Sequence, residues 1–322
     1  MPTEPIRAQD AKGKVHVVII TIRLDEYEAM EAQFAVTRTV RGGNNDYQLA
    51  EVELPTGKSL SVAITRCTHQ GNLSAQAVTN NVIQDLDPSW IFLVGIAGGV
   101  PDNEFSLGDV IFASALHDFS FGGLNEAGRF QSQSYGGKMH PAVDRFLQTR
   151  IAGVNKRKLM SLAGFRKGSR FERHPPVFPE GKRLRSSVYG AAAFRKKVET
   201  VVQARFPEGR RTDGPRIYAG PCANGDVVLK NTETLQKWQD SAKQVVEVET
   251  ELAGVYEAAR SSGRQNYPVL AIRGLSDIVG LNRTAMWTQY ACDTAAAVAH
   301  AVLRSDFIDF NENLPPFPSH RI

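Results

Sequence analysis

Only three cysteines occur in 322 residues, Cys67, Cys222 and Cys292, far apart and without Cys-X-X-Cys spacing. That scarcity excludes a disulfide framework and a thiolate zinc centre, leaving buried free thiols as the expectation. Also absent is any apolar run near the roughly 18 to 20 residues that a membrane-crossing helix needs. Residues 1–14 are polar and lack the apolar stretch of a secretory signal. They are expected to be flexible, and the protein to be cytoplasmic. There is no internal repeat.

What is present is an ordinary globular composition, 42% hydrophobic and 22% charged. A chain of this length with such a composition can bury a sizeable core. The charge is unevenly placed. Between Lys156 and Arg216 stand 17 basic and 5 acidic residues, a local net of +12, while the remainder carries −8. A block of this kind attracts polyanions, whether nucleotide phosphates, nucleic acid or an acidic partner surface. It also contains Pro175, Pro176 and Pro179 and reads as an insertion over residues 154–215. The alternative is a solvated insertion with no ligand.

The β-branched run Val15–Ile22 predicts a strand buried on both faces. Alternating runs at Tyr47–Leu54 and Leu60–Thr65, broken by Pro55 and Gly57, predict a hairpin. Helical spacing follows over Asn72–Leu86, then a buried strand, Trp90–Gly95, running into a glycine turn at Ala97, Gly98 and Gly99. Strands are further expected over Gly108–Ala113, Arg216–Ala219, Val245–Val248 and Val269–Arg273. Helices are expected over Thr232–Ala242, Thr250–Ser261 and Tyr290–Leu303. Strands alternating with helices give an α/β fold: a single three-layer domain over residues 15–304, with a mixed, largely parallel twisted central sheet flanked by helices. The tail, 305–322, is expected to be poorly packed.

Three polar motifs follow buried-type strands. Glu249, Thr250 and Glu251 form a close acidic group before the small residues of a helix start, where open parallel sheets place ligands and where carboxylates can accept from a sugar diol. Such acids also serve simply as helix N-terminal charges. Ser276 and Asp277 end the strand after Arg273; a carboxyl there can protonate a leaving base, or merely cap a helix. Arg23 through Glu28 follow the first strand, and Glu26 is a candidate general base. His69 and His117 are assigned no chemical role, and Met286 with Trp287 reads as helix packing.

These motifs resemble those of the nucleoside phosphorylase and nucleosidase superfamily. Glu249-Thr250-Glu251-Leu252-Ala253-Gly254-Val255 is similar to its VEMExAGV-type motif, and Arg273-Gly274-Leu275-Ser276-Asp277 to its Arg-Ala/Gly-Ile-Ser-Asp motif. Val94 through Val100 resembles the TGxAGG turn, Gly71 through Ala75 the preceding helix start, and Asn224-Gly225-Asp226 the SGD segment. The likeness covers most of residues 15–304 outside the insertion and is nearest to the methylthioadenosine and S-adenosylhomocysteine nucleosidases. It implies that Asp277 protonates purine N7, oriented by Ser276, that Glu251 binds the ribose hydroxyls, with Glu249 and Thr250 beside it, and that Glu26 activates water. Ala97 and Gly98 would line sugar and base, and Val228 and Leu229 would flank the base, with an aliphatic side chain where relatives often stack an aromatic one.

The resemblance further implies hydrolysis rather than phosphorolysis, because Leu93 and Ile96 replace the phosphate-holding Arg and Ser of the phosphorylases and Glu26 would repel phosphate. Arg23 keeps phosphorolysis open. The basic insertion and Arg23 together suggest a phosphorylated adenine nucleotide such as AMP or ATP, as in nucleotide-depleting effectors of bacterial antiviral systems. A methylthioadenosine-type nucleosidase, a purine nucleoside phosphorylase and a non-catalytic nucleotide- or nucleic-acid-binding module are the alternatives. No cofactor or metal is implied. A homo-oligomer is expected and a regulatory protein partner is open; neither a membrane nor nucleic acid is the expected partner.

Overall fold

In the computed structural model, the described residues are 5–102, 104, 106–124, 126, 130–178, 192–209, 211, 213–229, 232–261, 266–281 and 283–310. Its first half runs β1 (Ile6–Arg7), α1 (Ala8–Ala11), β2 (Val17–Thr21), α2 (Leu24–Glu31), β3 (Val36–Arg41), β4 (Asp46–Glu53), β5 (Ser59–Arg66), α3 (Asn72–Leu86), β6 (Trp90–Gly99) and β7 (Val110–Asp118). There follow β8 (Gly122–Leu124), β9 (Phe130–Ser132), β10 (Tyr135–Lys138), α4 (Pro141–Arg150), α5 (Gly153–Leu162), α6 (Arg170–Arg173) and α7 (Ala192–Arg205). The chain then forms β11 (Ile217–Asn224), α8 (Thr232–Ser241), β12 (Glu247–Glu249), α9 (Leu252–Ser261), β13 (Val269–Ile278) and α10 (Ala285–Arg304).

Strands β2, β6 and β13 are buried almost throughout, because apolar side chains leave them on both faces. They form the spine of a mixed sheet, with β2 parallel to β5 and β6, and β6 parallel to β13. The α/β fold expected from the alternation of elements is present as one domain, with α10 and α2 over β6 and α3 against α9. The sheet also closes on itself. β6 pairs with β12, β12 with β11, β11 with β7, β7 with β13, and β13 returns to β6. This five-strand ring brings loops from distant parts of the chain to one rim.

Several expectations needed correction. The glycine segment at Ala97–Gly99 is not a turn: β6 continues through Gly99, and Gly98 and Gly99 pair with Val248 and Glu247. β3, whose face is largely exposed and whose pattern is weakly apolar, escaped the sequence reading. The start of the chain is packed from Ile6, since Ile6–Arg7 pairs with Val40–Arg41 and Ala8 and Ala11 are buried. At the other end Phe310 is buried against Trp90 and Phe92, so packing extends beyond residue 304; Pro315, Pro316 and Pro318 lie outside the described residues, as do Pro179, Lys182, Arg183 and Arg185.

The basic insertion is mounted on α10 by aromatic side chains. Phe171 meets Tyr290 edge-on with ring centres 5.8 Å apart, and Phe206 meets Trp287 at 5.6 Å. Phe165 packs on Phe171, and Phe178 on Phe206. Phe171 and Phe206 are buried while Arg157, Arg166, Lys167, Arg170 and Arg173 are exposed. Apolar burial and the buried ion pair of Arg211 with Asp109, 2.6 Å apart, hold the segment, while these five cations remain in water. All three cysteines are buried and free.

Candidate functional site

A cleft of about 630 Å³ opens where β2, β6, β12 and β13 end. Every residue singled out from the sequence lines it: Arg23, Glu26, Ala97, Gly98, Val228, Leu229, Glu249, Thr250, Glu251, Ser276 and Asp277. Ile96, which stands in the sequence where phosphorylases hold phosphate, lines it too, and Ile22, Gln70, Val248, Val279 and Arg283, which the sequence reading had not included, complete the lining. The described part of the basic insertion contributes no residue to it.

Glu26 sits in the first turn of α2 and is buried. Its Oε2 accepts from the backbone N–H of Ile22 at 2.8 Å and of Arg23 at 3.0 Å, the reciprocal half of a helix-start cap. Its Oε1 accepts from the Ile96 N–H at 2.9 Å, so one carboxylate ties the first strand's loop to β6. Burial pushes this carboxyl above its ordinary range, against the pull of Arg273 and the three N–H groups. A side chain at position 95 would run into Glu26 and Arg273, which is why glycine stands there.

On β12 and the turn beyond it, Glu249 and Glu251 have different environments. Glu249 receives the N–H groups of Glu251 at 2.9 Å and Leu252 at 2.9 Å, and the Arg273 Nη2 at 2.7 Å. These bonds consume it as a helix cap and an ion-pair partner. Burial raises it to about 7, opposed by Arg273 and assisted by the Glu251 charge. Glu251 uses Oε1 for the Gly71 N–H at 3.0 Å and the Thr250 hydroxyl at 2.5 Å, while its Oε2 lies 3.9 Å from Arg273. Gly254 lies against the Asn72 backbone, where a methyl group would collide. That close approach seats α9 on the start of α3 and brings Gly71 to Glu251.

Ser276 and Asp277 owe their placement to a β-bulge. Leu275 pairs with Ala97, and the next pair is Asp277 with Gly98, so Ser276 is the extra residue. Regular alternation would send two successive side chains to opposite faces; the bulge lets both reach the cleft. The Ser276 hydroxyl donates to Asp277 Oδ1 at 2.7 Å.

Two groups behind the cleft were missed as functional candidates. Arg273 is fully buried and faces Glu249, Glu251, Glu26 and Glu247, a single cation among four carboxyls. Glu247 is also fully buried, and burial drives its carboxyl well above the ordinary range despite Arg273, with Glu249 adding to the rise. The signal was legible: a charge inside an otherwise apolar strand, as in Val269–Leu275 or Val245–Val248, requires a partner of opposite sign. His69 is exposed beside the cleft, and His117 Nδ1 contacts the Ser134 hydroxyl at 3.0 Å on the far strands. No cluster of metal-ligating side chains occurs among the described residues, and no described helix is long and apolar enough to cross a membrane.

A family model described as the phosphorylase superfamily matches residues 17–305. Among curated proteins, the chain is 22% identical over 227 residues to a death domain-containing ATP nucleosidase of Amphimedon queenslandica, covering 70% of this chain and 36% of that protein. It is 22% identical over 238 residues to ATP nucleosidase Cap17 of Escherichia coli strain KTE188, covering 74% of this chain and 39% of the relative. The chain thus spans less than two fifths of these relatives. Similar solved structures include a methylthioadenosine/S-adenosylhomocysteine nucleosidase of Colwellia psychrerythraea with adenine, at TM-score 0.56 and 15% identity, covering 94% of this chain and 96% of that one. Futalosine hydrolase of Helicobacter pylori matches at TM-score 0.56 and 13% identity, covering 89% and 96%.

Proposed function

The chain belongs to the phosphorylase superfamily, and from that premise we propose that it hydrolyses the N-glycosidic bond of an adenine nucleoside or nucleotide. The observation that carries this reading is the convergence of Glu26, Glu251 and Asp277, more than 250 positions apart at the extremes, on one cleft. An oxocarbenium-like transition state needs a proton for the departing base, anchors for the sugar and a polarised water. Asp277, held by the Ser276 hydroxyl, delivers the proton to purine N7. Glu251 accepts from the sugar hydroxyls, with Thr250 beside it. Glu249, saturated by backbone N–H groups and Arg273, supports Glu251 rather than binding sugar itself.

Glu26 draws a proton from water on the opposite side of the sugar. Burial raises its affinity for protons, which strengthens it as a base. Val228, Leu229 and Val279 supply an aliphatic seat for the base. Hydrolysis is favoured over phosphorolysis because four carboxyls, Glu26, Glu249, Glu251 and Asp277, line the cleft and would repel free phosphate. The names of the two curated relatives support a nucleotide substrate and hence a nucleotide-depleting role.

Chromatography of ATP, AMP, adenosine and methylthioadenosine incubated with the protein, with and without phosphate, tests the reading. Free adenine formed without phosphate, and lost in Asp277→Asn, is the expected result. Persistence of intact substrate in every incubation would sink it.

A further inference from the structure

A second groove of about 750 Å³ adjoins the cleft and shares Ile22, Arg23 and Gln70 with it. Asp277, Val228 and Leu229 line only the cleft, whereas Arg66, Thr68 and His69 line only the groove. With a base seated against Asp277 and a sugar against Glu251 and Glu26, the groove lies on the far side of the sugar from the base. Whatever the sugar carries at its exocyclic carbon enters there.

The chemistry of that passage favours an anion. Arg23 stands at the junction, Arg66 is exposed within the groove, and Arg283 lines the cleft. The Thr68 hydroxyl and Gln70 amide add neutral donors. Against the three guanidinium groups stand Asp25 and Glu28. Asp25 is already committed to Arg23, receiving Nε at 2.9 Å and Nη2 at 2.7 Å, which fixes that guanidinium while leaving Nη1 for a ligand. Burial pushes Asp25 up, but Arg23 holds it below its ordinary range, and Arg283 lines the same cleft as Arg23. Arg283 is itself oriented by the Thr288 hydroxyl at 3.1 Å from Nε. Planar guanidinium groups converging from separate elements are the usual means of holding phosphoryl oxygens.

Resting on the nucleosidase reading, we infer that this groove and its mouth on the cleft form a phosphoryl subsite, in which Arg66 of the groove, Arg23 at the junction and Arg283 of the cleft select nucleotides over nucleosides. The described part of the strongly basic insertion has no part in it. None of its described cations lines either space: Arg157, Arg166, Lys167, Arg170 and Arg173 are exposed, and Arg211 is buried against Asp109 at 2.6 Å.

Adenine release from ATP, ADP, AMP and adenosine is compared for wild type, Arg23→Gln, Arg66→Gln, Arg283→Gln and the triple variant Arg166→Gln, Lys167→Gln, Arg170→Gln. The expected wild-type kcat/KM for a nucleotide exceeds that for adenosine about tenfold or more. That preference falls about tenfold in Arg66→Gln and Arg283→Gln and persists in the triple variant. A preference near one, or one that Arg23→Gln, Arg66→Gln and Arg283→Gln all leave intact, overturns the inference. Phosphate-stimulated cleavage of adenosine yielding ribose 1-phosphate would assign the subsite to free phosphate and equally overturn it. If no substrate releases adenine, the hydrolase reading fails by itself, and calorimetric titration reads the subsite directly. Tighter binding of ADP than adenosine, weakened in Arg66→Gln, then upholds it; equal affinities overturn it.

Discussion

Arg273 Nη2 lies 2.7 Å from Glu249 Oε2, and both side chains are 1% exposed. This pair occupies the centre of a carboxyl-rich region between β12 and β13, and the same guanidinium is 3.9 Å from Glu251. One buried arginine therefore faces two of the acids that the proposed chemistry uses, Glu251 and Glu26, and pairs with Glu249 beside them.

Removing that cation strands several carboxyls in a dry environment. Arg273→Met is expected to lose about 3–5 kcal/mol of stability, as when one partner of a buried pair is deleted. Urea denaturation monitored by circular dichroism measures it, and an unchanged midpoint would show that the carboxyls are not held by Arg273.

Asp277 and Ser276 separate proton delivery from its alignment. Asp277→Asn is expected to slow adenine release about 10²- to 10⁴-fold, the usual worth of a general acid. Ser276→Ala removes only the hydrogen bond to Oδ1 and is expected to cost about 1 kcal/mol of transition-state stabilisation, roughly fivefold in rate. Single-turnover kinetics distinguishes the two, and equal losses would contradict the assigned division of labour.

Glu26 acts as a base only when ionised. Because burial raises its proton affinity, kcat/KM is expected to fall on acidification from a pH above the ordinary glutamate range. The test is a pH–rate profile for wild type; a flat profile down to the ordinary glutamate range would contradict the assignment. Glu26→Gln is expected to lose about 10²-fold or more at neutral pH.

Glu247 gives a stability effect with a definite sign. Its folded-state proton affinity is raised, so its favourable contribution is complete below the unfolded-state value near 4.5 and is lost as pH rises through the folded value. Glu247→Gln, which stays neutral, should match wild type in acid and become more stable relative to it by about 1.4 kcal/mol per pH unit between the unfolded-state and folded-state values, levelling off above the latter. Denaturation midpoints at several pH values reveal the trend, and a variant weaker than wild type at alkaline pH contradicts it.

The three acids were legible because each follows a recognisable buried strand, and strand ends gather ligands in this class of sheet. Arg273 and Glu247 lie inside strands rather than in turns, yet a charge within an apolar strand carries as much information as a polar residue at a strand end. The bulge at Ser276 left no mark in the sequence, since it depends on pairing with Ala97 and Gly98 across the sheet. Gly95 looked like any glycine near a strand end, and only the approach of Glu26 and Arg273 explains it. The insertion was read through its charge, whereas its location was written in Phe165, Phe171, Phe178 and Phe206. Closure of the ring was likewise hidden: Glu247–Glu249 makes a three-residue strand whose second partner is a glycine pair.

The aromatic mounting of the insertion also bears on inheritance. Phe171, Phe206, Trp287 and Tyr290 form two interlocking couples across separate parts of the chain. Excising residues 154–215 would leave an indole and a phenol facing water on α10, so the segment cannot be shed without rewriting the helix beneath it. Lineages that retain the insertion should retain both sides of each couple, and lineages that lack it should carry smaller or polar residues at positions 287 and 290. Presence of the insertion and bulk on the last helix are thus a single evolutionary character.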